Sequence, residues 1–188
     1  EARLGWQVLL ATLPALAAGV LFKDLVEGLF GNPSVAAAIR LFVTAMLLWF
    51  AEKVSQRNRN LGHLTWRDAL WIGSAQILSI FPGASRSGST ITGGMIRHLD
   101  RPAAARFAFL MSIPVMLAAG AYQSIDLVQI SNLGAFMIPL LAGFCTAALV
   151  GYLAVRWLLS YLARNPLHIF AIYCLALGFL SLIYSIAR

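Results

Sequence analysis

Residues 69–99 have the sequence ALWIGSAQILSIFPGASRSGSTITGGMIRHL, and this stretch decides the fold that we predict. The apolar run over 69–81 stops at Pro82-Gly83. It is too short to cross a hydrocarbon core about 30 Å thick at about 1.5 Å per residue. A second short segment, Thr90 to Leu99, follows a tip rich in glycine and hydroxyl side chains. Irregular backbone survives at membrane depth only where protein shields it or where it lines a wet cavity. We therefore predict a re-entrant hairpin over 65–99, with Thr65 capping its first helix.

Composition places the whole chain in a membrane. Hydrophobic residues make up 60% of the chain and charged residues 11%, whereas a soluble domain carries about 25% charged residues. The net charge of +7 comes mostly from basic residues between long apolar runs. Membrane topology explains that arrangement, so we predict no nucleic-acid partner. Cys145 and Cys174 lie inside apolar runs without a CxxC partner, which favours packing over a disulfide or a zinc site.

Five apolar runs besides the hairpin are long enough to cross the bilayer. They are Leu4–Phe22, Val35–Ala51, Ala103–Tyr122, Leu133–Val155 and Leu167–Ala187. The predicted fold class is an all-α integral membrane protein with five transmembrane helices and one re-entrant helix-loop-helix hairpin. Residues 1–188 form a single membrane domain in this interpretation.

The distribution of basic residues predicts the orientation. Most of the Lys and Arg residues lie at Arg3 and in the connections 53–67, 97–106 and 156–164. The opposite connections hold Lys23 and Asp126, with Arg188 at the tail. Because cytoplasmic loops are enriched in Lys and Arg, we expect the base of the hairpin in the cytoplasm and the C-terminus outside.

Arg86 is the residue that most strongly indicates a function. A guanidinium at membrane depth costs at least about 2.5–3.5 kcal/mol, and its planar fork can bind an oxyanion in a bidentate manner. Gly83 and Gly88 allow backbone N–H groups to converge on an anion. If Ser89 or Thr90 begins the second helix, its free N–H groups also face the tip. The alternatives are a plain turn with Arg86 snorkelling to water, and a carboxylate ligand instead of a phosphate.

Three segments then carry a family resemblance. They are Gly73-Ser74-Ala75-Gln76, Phe81-Pro82-Gly83-Ala84-Ser85-Arg86-Ser87-Gly88-Ser89-Thr90-Ile91 and Gly93-Gly94-Met95. Together they resemble the signature of the undecaprenyl-pyrophosphate phosphatase family, and residues 101–107, 112–114 and 13–15 are similar as well. The resemblance implies an enzyme of the bacterial cytoplasmic membrane that recycles the lipid carrier of cell-wall synthesis and contributes to antibiotic resistance. It also implies two inverted repeats. Residues 4–52 would be the last two spans of the first repeat, and residues 65–99 and 103–187 the hairpin and three spans of the second.

The resemblance also implies the site. Its catalytic residues would be Ser85, Arg86 and Thr90. Its substrate-binding residues would be Gln76, Gly83, Ser87, Gly88 and Ser89. A divalent cation, Mg or Ca, is implied too, with ligands outside this chain. The nucleophile stays open between Ser85, Thr90 and a metal-activated water.

The chain departs from the family pattern in one respect. The family's first repeat supplies an acidic hairpin opposite Arg86, and nothing here matches it. The seven carboxylates all lie at span ends or in loops. Since the sequence begins at Glu1 rather than Met, we expect that N-terminal sequence is missing and that the chain as given is catalytically incomplete. A polyprenyl-phosphate transporter or flippase is the alternative function, because transport needs the head-group site but no acidic pair. A homodimer is possible.

The remaining polar residues have ordinary interpretations. We interpret His63, His98 and His168 as interfacial side chains. A second class of lipid phosphatases, with a histidine nucleophile, would need that histidine where Thr92 stands, so it is disfavoured. Arg40, inside the second span, either snorkels or reaches the head group, and we favour snorkelling.

Overall fold

The computed structural model describes residues 2–22, 33–80, 85–127 and 133–186. These residues form seven α-helices and, at Leu61–His63 and Leu78–Ile80, two 3-10 turns. The helices are α1 (Ala2–Leu21), α2 (Pro33–Val54), α3 (Trp66–Ile77), α4 (Arg86–Ile96), α5 (Arg101–Leu127), α6 (Leu133–Leu162) and α7 (His168–Ile186). The described residues contain no β-strand, only an isolated bridge between Arg59 and Leu99. The all-helical prediction is confirmed.

The predicted hairpin corresponds to α3 and α4. Thr65 caps α3 as predicted, because its side chain accepts a hydrogen bond from the Asp68 N–H. The second helix begins earlier than predicted: α4 starts at Arg86, and Ser85 is its N-cap. The prediction that Ser89 or Thr90 starts this helix is therefore wrong. The Ser85 side chain accepts from the Gly88 N–H of the first turn, so Arg86, Ser87 and Gly88 are already helical. Residues 81–84, including Gly83, lie outside the described part.

Small residues let the hairpin pack closely against its neighbours. A Cβ on Gly73 of α3 would lie 2.1 Å from the Ala11 carbonyl oxygen of α1. A Cβ on Gly93 of α4 would lie 2.8 Å from the Ala75 Cβ of α3. Both contacts are far inside van der Waals distance, so glycine is required for this helix spacing. The extensive α1–α3 packing follows from it.

Two buried carboxylates fasten the base of the hairpin. Asp68 accepts hydrogen bonds from Arg59 and from Arg97 at 2.6 Å, joining α3, the end of α4 and the connection after α2. Glu52 at the end of α2 accepts hydrogen bonds from Arg101 Nε at 2.6 Å and from the Leu167 N–H at 2.7 Å. The cationic connections predicted from the sequence are thus partly neutralised by these two acids.

Three helices in the described part are long and apolar enough to cross a membrane. They contain Arg101–Tyr122, Met137–Leu162 and His168–Ser185. They coincide with the last three of the five predicted spans. The helices at the first two predicted spans, α1 and α2, have 20 and 22 residues. On α6, the residues from Met137 to Ala154 are all exposed, which suits an apolar helix in contact with lipid.

Candidate anion site at the hairpin

The first turn of α4 presents unused backbone donors. The Ser85 side chain accepts from the Gly88 N–H at 3.3 Å, and the Ser85 carbonyl accepts from the Ser89 N–H at 2.8 Å. The N–H groups of Arg86 and Ser87 have no acceptor within the described residues. Because a helix N-terminus carries partial positive charge, these two groups favour an anion.

The Arg86 guanidinium lies at the same helix end. Its side chain is half-buried, and within the described ranges it makes no hydrogen bond or ion pair. This differs from Arg59, Arg97 and Arg101, which all bind a buried carboxylate. Arg86 is therefore available to an external oxyanion.

The hydroxyl side chains near Arg86 fall into two groups. Ser85 Oγ and the exposed Ser87 Oγ lie 3.3 Å apart beside the free N–H groups. Thr90 is 1% exposed, and its Oγ1 lies within hydrogen-bond distance of the Arg86 carbonyl at 2.9 Å and the Ser87 carbonyl at 3.2 Å. The structure therefore brings Ser85, Arg86 and Ser87 together, whereas the Thr90 hydroxyl proton is held by the helix backbone.

The other predicted binding residues lie around this helix end. Gln76 is buried on the last turn of α3, and its carbonyl accepts from Ser79 Oγ at 2.6 Å. Gly88 packs closely, since a Cβ there would lie 3.1 Å from Thr44 Cγ2 of α2. Ser89 is 1% exposed, and its Oγ has no partner within the described residues. Ser89 lines a cavity between α2, α3 and α4.

Thr44 is a residue that the sequence analysis missed. It is buried on α2, and its Oγ1 accepts from the Ser85 N–H at 3.2 Å while donating to the Arg40 carbonyl at 2.7 Å. This contact fixes the N-cap of α4 against the second predicted span. Arg40 lies one helical turn before Thr44, on the same face of α2. The sequence feature that could have identified Thr44 is that it is a single threonine in an apolar span.

The described residues do not fit a divalent cation. The helix end offers N–H groups, hydroxyls and a guanidinium, which repel a metal ion or bind it weakly. Within the described ranges, no group of three or more His, Cys, Asp or Glu side chains could hold a metal. Asp68 and Glu52 are already bound to arginines at the base. Burial alone would raise the pKa of Asp68, but hydrogen bonds from Arg59, Arg97 and Thr65 outweigh it and lower that pKa well below its ordinary value.

The three histidines all lie in structural positions. His63 belongs to the capping box of the Leu61–His63 turn. His98 accepts a hydrogen bond from the Gln56 N–H at 3.3 Å and has a positive φ of 64° at the end of α4. The His168 ring packs on Trp49 at a centroid distance of 4.7 Å. None of these contacts places a histidine beside Arg86.

Comparison with known proteins identifies the family. The sequence profile of the bacitracin resistance protein BacA family matches residues 1–180. The chain belongs to the BacA family. This BacA-family chain is 39% identical over 186 residues to a curated undecaprenyl-diphosphatase of Methanobrevibacter smithii, covering 99% of the chain and 66% of that relative. It is 44% identical over 182 residues to one of Methanothermobacter thermautotrophicus, covering 93% and 97%. A third, from Anaeromyxobacter sp. (strain K), is 42% identical over 179 residues, covering 95% and 60%.

The chain covers different shares of the lengths of its BacA-family relatives. It spans about two thirds of the Methanobrevibacter protein and nearly all of the Methanothermobacter protein. The resemblance deduced from the hairpin signature is confirmed by these matches.

Proposed function

We propose that this chain binds undecaprenyl pyrophosphate at the N-terminus of α4 and takes part in its hydrolysis to undecaprenyl phosphate and inorganic phosphate. The observation that carries the proposal is the Arg86 guanidinium, without a partner in the described residues, beside the free N–H groups of Arg86 and Ser87. The curated relatives bear the name of that phosphatase. A transporter for the same head group is not favoured, because no relative named here carries a transporter's name.

The geometry assigns separate tasks to the residues. Arg86 binds two oxygens of the terminal phosphate and neutralises the charge that develops on it, as phosphoryl transfer requires. The N–H groups of Arg86 and Ser87, with the hydroxyls of Ser85 and Ser87, donate to the remaining oxygens. In the reaction the nucleophile's oxygen bonds to the terminal phosphorus as the bond to the bridging oxygen breaks. The lipid phosphate leaves with that bridging oxygen.

We further propose the topology that the charge distribution predicts. Five spans and one re-entrant hairpin lie in the cytoplasmic (inner) membrane, with the base of the hairpin in the cytoplasm and the C-terminus outside. The three long apolar helices and the basic connections support this arrangement. Maleimide labelling of single cysteines placed at Asn58 and beyond Ile186 would test it, because the two sites should label from opposite sides.

A homodimer is proposed through α6. This helix is apolar and is exposed from Met137 to Ala154, with small residues at Gly143, Ala147 and Gly151 on one face. Small residues four positions apart permit close helix–helix packing in membranes. A single cysteine at Ala147, in a Cys145→Ser background, should crosslink to a dimer if this face is the interface, because Cys145 itself lies on the opposite side of the helix.

A divalent cation is proposed as a requirement of turnover, with ligands other than the described residues. Chelation should then abolish phosphate release, and added magnesium or calcium should restore it. Binding of the lipid head group to Arg86 should persist in chelator.

Phosphate release from undecaprenyl pyrophosphate in detergent with magnesium tests the proposed function. Residues 1–188 are assayed alone and within the full-length gene product. Arg86→Ala should lower the rate at least about 100-fold, in line with loss of one preorganised donor. Arg86→Lys should recover only part of it, because lysine lacks the bidentate fork.

Arg106→Ala is the matched control. Arg106 is an exposed arginine on α5 near the base of the hairpin, so its removal should leave the rate within about twofold. Equal rates for Arg86→Ala and the control would refute the assignment.

A further inference from the structure

A cavity lies one helical turn along α4 from the anion site, where Ser89 lines it. It has a volume of about 340 Å³ and is enclosed by α2, α3 and α4. Its apolar lining includes Leu47, Phe50, Trp71 and Leu78. Phe50, Trp71 and Leu78 are 53%, 49% and 50% exposed, so the cavity opens outward between the helices. In a membrane protein such an opening faces hydrocarbon chains.

Two hydroxyls in this cavity have no partner. Ser89 Oγ and Thr92 Oγ1 are buried and unbonded within the described residues, and both residues line the cavity. Ser89 and Thr92 are 1% and 3% exposed. A buried hydroxyl without a partner is unfavourable, so these two groups indicate a ligand that enters the cavity and offers them an acceptor.

The residues of α4 that line the cavity begin at Ser89, three positions after Arg86. Arg86, Ser89 and Thr92 follow one another at intervals of three residues, and such residues are neighbours on a helix surface. At about 1.5 Å per residue, Thr92 lies about 9 Å from Arg86 along the helix axis. A molecule whose head group binds at Arg86 can therefore extend its tail into the cavity.

We propose that this cavity binds the first isoprene units of the substrate's polyprenyl chain. The inference rests on the proposed function and adds to it a site for the lipid. If each carbon group occupies about the 30 Å³ of a water molecule, the cavity holds on the order of ten carbon atoms, or two five-carbon units. The rest of the chain leaves through the opening beside Phe50 and Trp71.

The hydroxyls favour an isoprenoid over a saturated acyl chain. A saturated chain offers Ser89 and Thr92 no acceptor. The π-electrons of an isoprenoid double bond are a weak acceptor, of the kind that contributes a small but real stabilisation. The assignment therefore predicts a modest preference for unsaturated chains that depends on Thr92.

Steady-state kinetics on two soluble substrates test the inference. Farnesyl pyrophosphate has three isoprene units and fills the cavity, whereas isopentenyl pyrophosphate has one and does not. Ser74→Phe fills the cavity from α3, where Ser74 is an exposed lining residue outside the anion site. This variant should raise KM for farnesyl pyrophosphate at least about tenfold, as excluding even one methylene from an apolar pocket does. The KM for isopentenyl pyrophosphate and kcat for both should stay within about twofold.

Ser160→Phe is the control for a bulky substitution, because Ser160 is exposed on α6 away from the cavity. It should change neither KM. Equal KM changes for both substrates in Ser74→Phe would overturn the inference. These kinetics are measured on the full-length gene product, and its failure to hydrolyse either substrate would instead refute the proposed function.

Thr92→Val provides a second test that does not alter volume. Wild-type protein should have a KM about two- to fivefold lower for farnesyl pyrophosphate than for its fully saturated analogue, the ratio expected of one weak hydrogen bond. Thr92→Val should make the KM values for farnesyl pyrophosphate and its saturated analogue equal.

Crosslinking of a diazirine-bearing farnesyl pyrophosphate should label the peptide that contains Thr92. Labelling by a diazirine phosphatidylglycerol instead, undiminished by excess farnesyl pyrophosphate, would assign the cavity to a membrane phospholipid and overturn the inference.

Discussion

Replacing Asp68 with asparagine should destabilise the hairpin base more than any other isosteric change there. The Asp68 side chain is 0% exposed. It accepts from Arg59 Nη2 at 2.6 Å, Arg97 Nε at 2.6 Å and Thr65 Oγ1 at 2.8 Å. Asparagine keeps the volume but removes the charge and turns an NH₂ group toward an arginine. The perturbation therefore isolates the electrostatic contribution of one carboxylate.

The expected loss in the free energy of unfolding follows from how far the two arginines are exposed to water. Removing one partner of a buried ion pair costs about 3–5 kcal/mol. The Arg59 and Arg97 side chains are 26% and 44% exposed, so water recovers part of their solvation. We therefore expect a loss of about 3 kcal/mol in the free energy of unfolding, at the lower end of that range. For a chain of this length, that corresponds to a fall in Tm of about 6–12 °C.

Thermal unfolding in detergent, followed by size-exclusion chromatography of heated samples, measures the effect. Asp100→Asn is the matched control. Asp100 Oδ1 accepts from the Ala103 N–H at 2.7 Å at the start of α5, and asparagine caps a helix as well as aspartate does. The control should shift Tm by less than about 2 °C. Equal shifts for the two variants would refute the claim that Asp68 fastens the hairpin.

Three further outcomes are expected. The pKa of Asp68 is lowered below its ordinary 3.8, so the Tm difference between wild type and Asp68→Asn should be constant from pH 7 to about pH 4 and shrink only in more acidic buffer; a difference lost at pH 5 would contradict this. Gly73→Ala should lower Tm by the equivalent of about 1–3 kcal/mol, because its Cβ would lie 2.1 Å from a carbonyl oxygen of α1, whereas Gly5→Ala, with open space around it, should not. Thr44→Val removes the acceptor of the Ser85 N–H and should reduce kcat/KM about tenfold, with rescue by Thr44→Ser; unchanged kcat/KM would show that this contact does not position the helix end.

The position of the two short helices was predictable because it depends on local properties. Apolar segments too short to cross, a Pro-Gly stop and an arginine in a polar tip all lie within residues 69–99. The cap at Thr65 was also predictable, since capping requires only a hydroxyl before a helix. The cap at Ser85 was missed because Gly88 is unfavourable inside a helix. Close packing of Gly88 against Thr44 of α2 explains how that propensity is overridden.

Contacts between distant segments could not be predicted in the same way. The bond from the Ser85 N–H to Thr44 joins residues 41 positions apart, and the Glu52 contact with the Leu167 N–H joins residues 115 apart. Nothing in the local sequence distinguishes Thr44 from a threonine that bonds only to its own helix. Likewise Glu52 and Asp68 were correctly placed at helix ends, but their arginine partners depend on how α2, α5 and the hairpin come together.

Equilibrium binding of undecaprenyl pyrophosphate to Arg86→Gln in chelator tests the central claim most directly. Calorimetric titration in detergent measures the head-group affinity without turnover. Loss of a charged, bidentate contact should weaken Kd about 10- to 150-fold relative to wild type. The Arg106→Gln control should bind like wild type. An unchanged Kd for Arg86→Gln would contradict the claim that the N-terminus of α4 is the site of the lipid pyrophosphate.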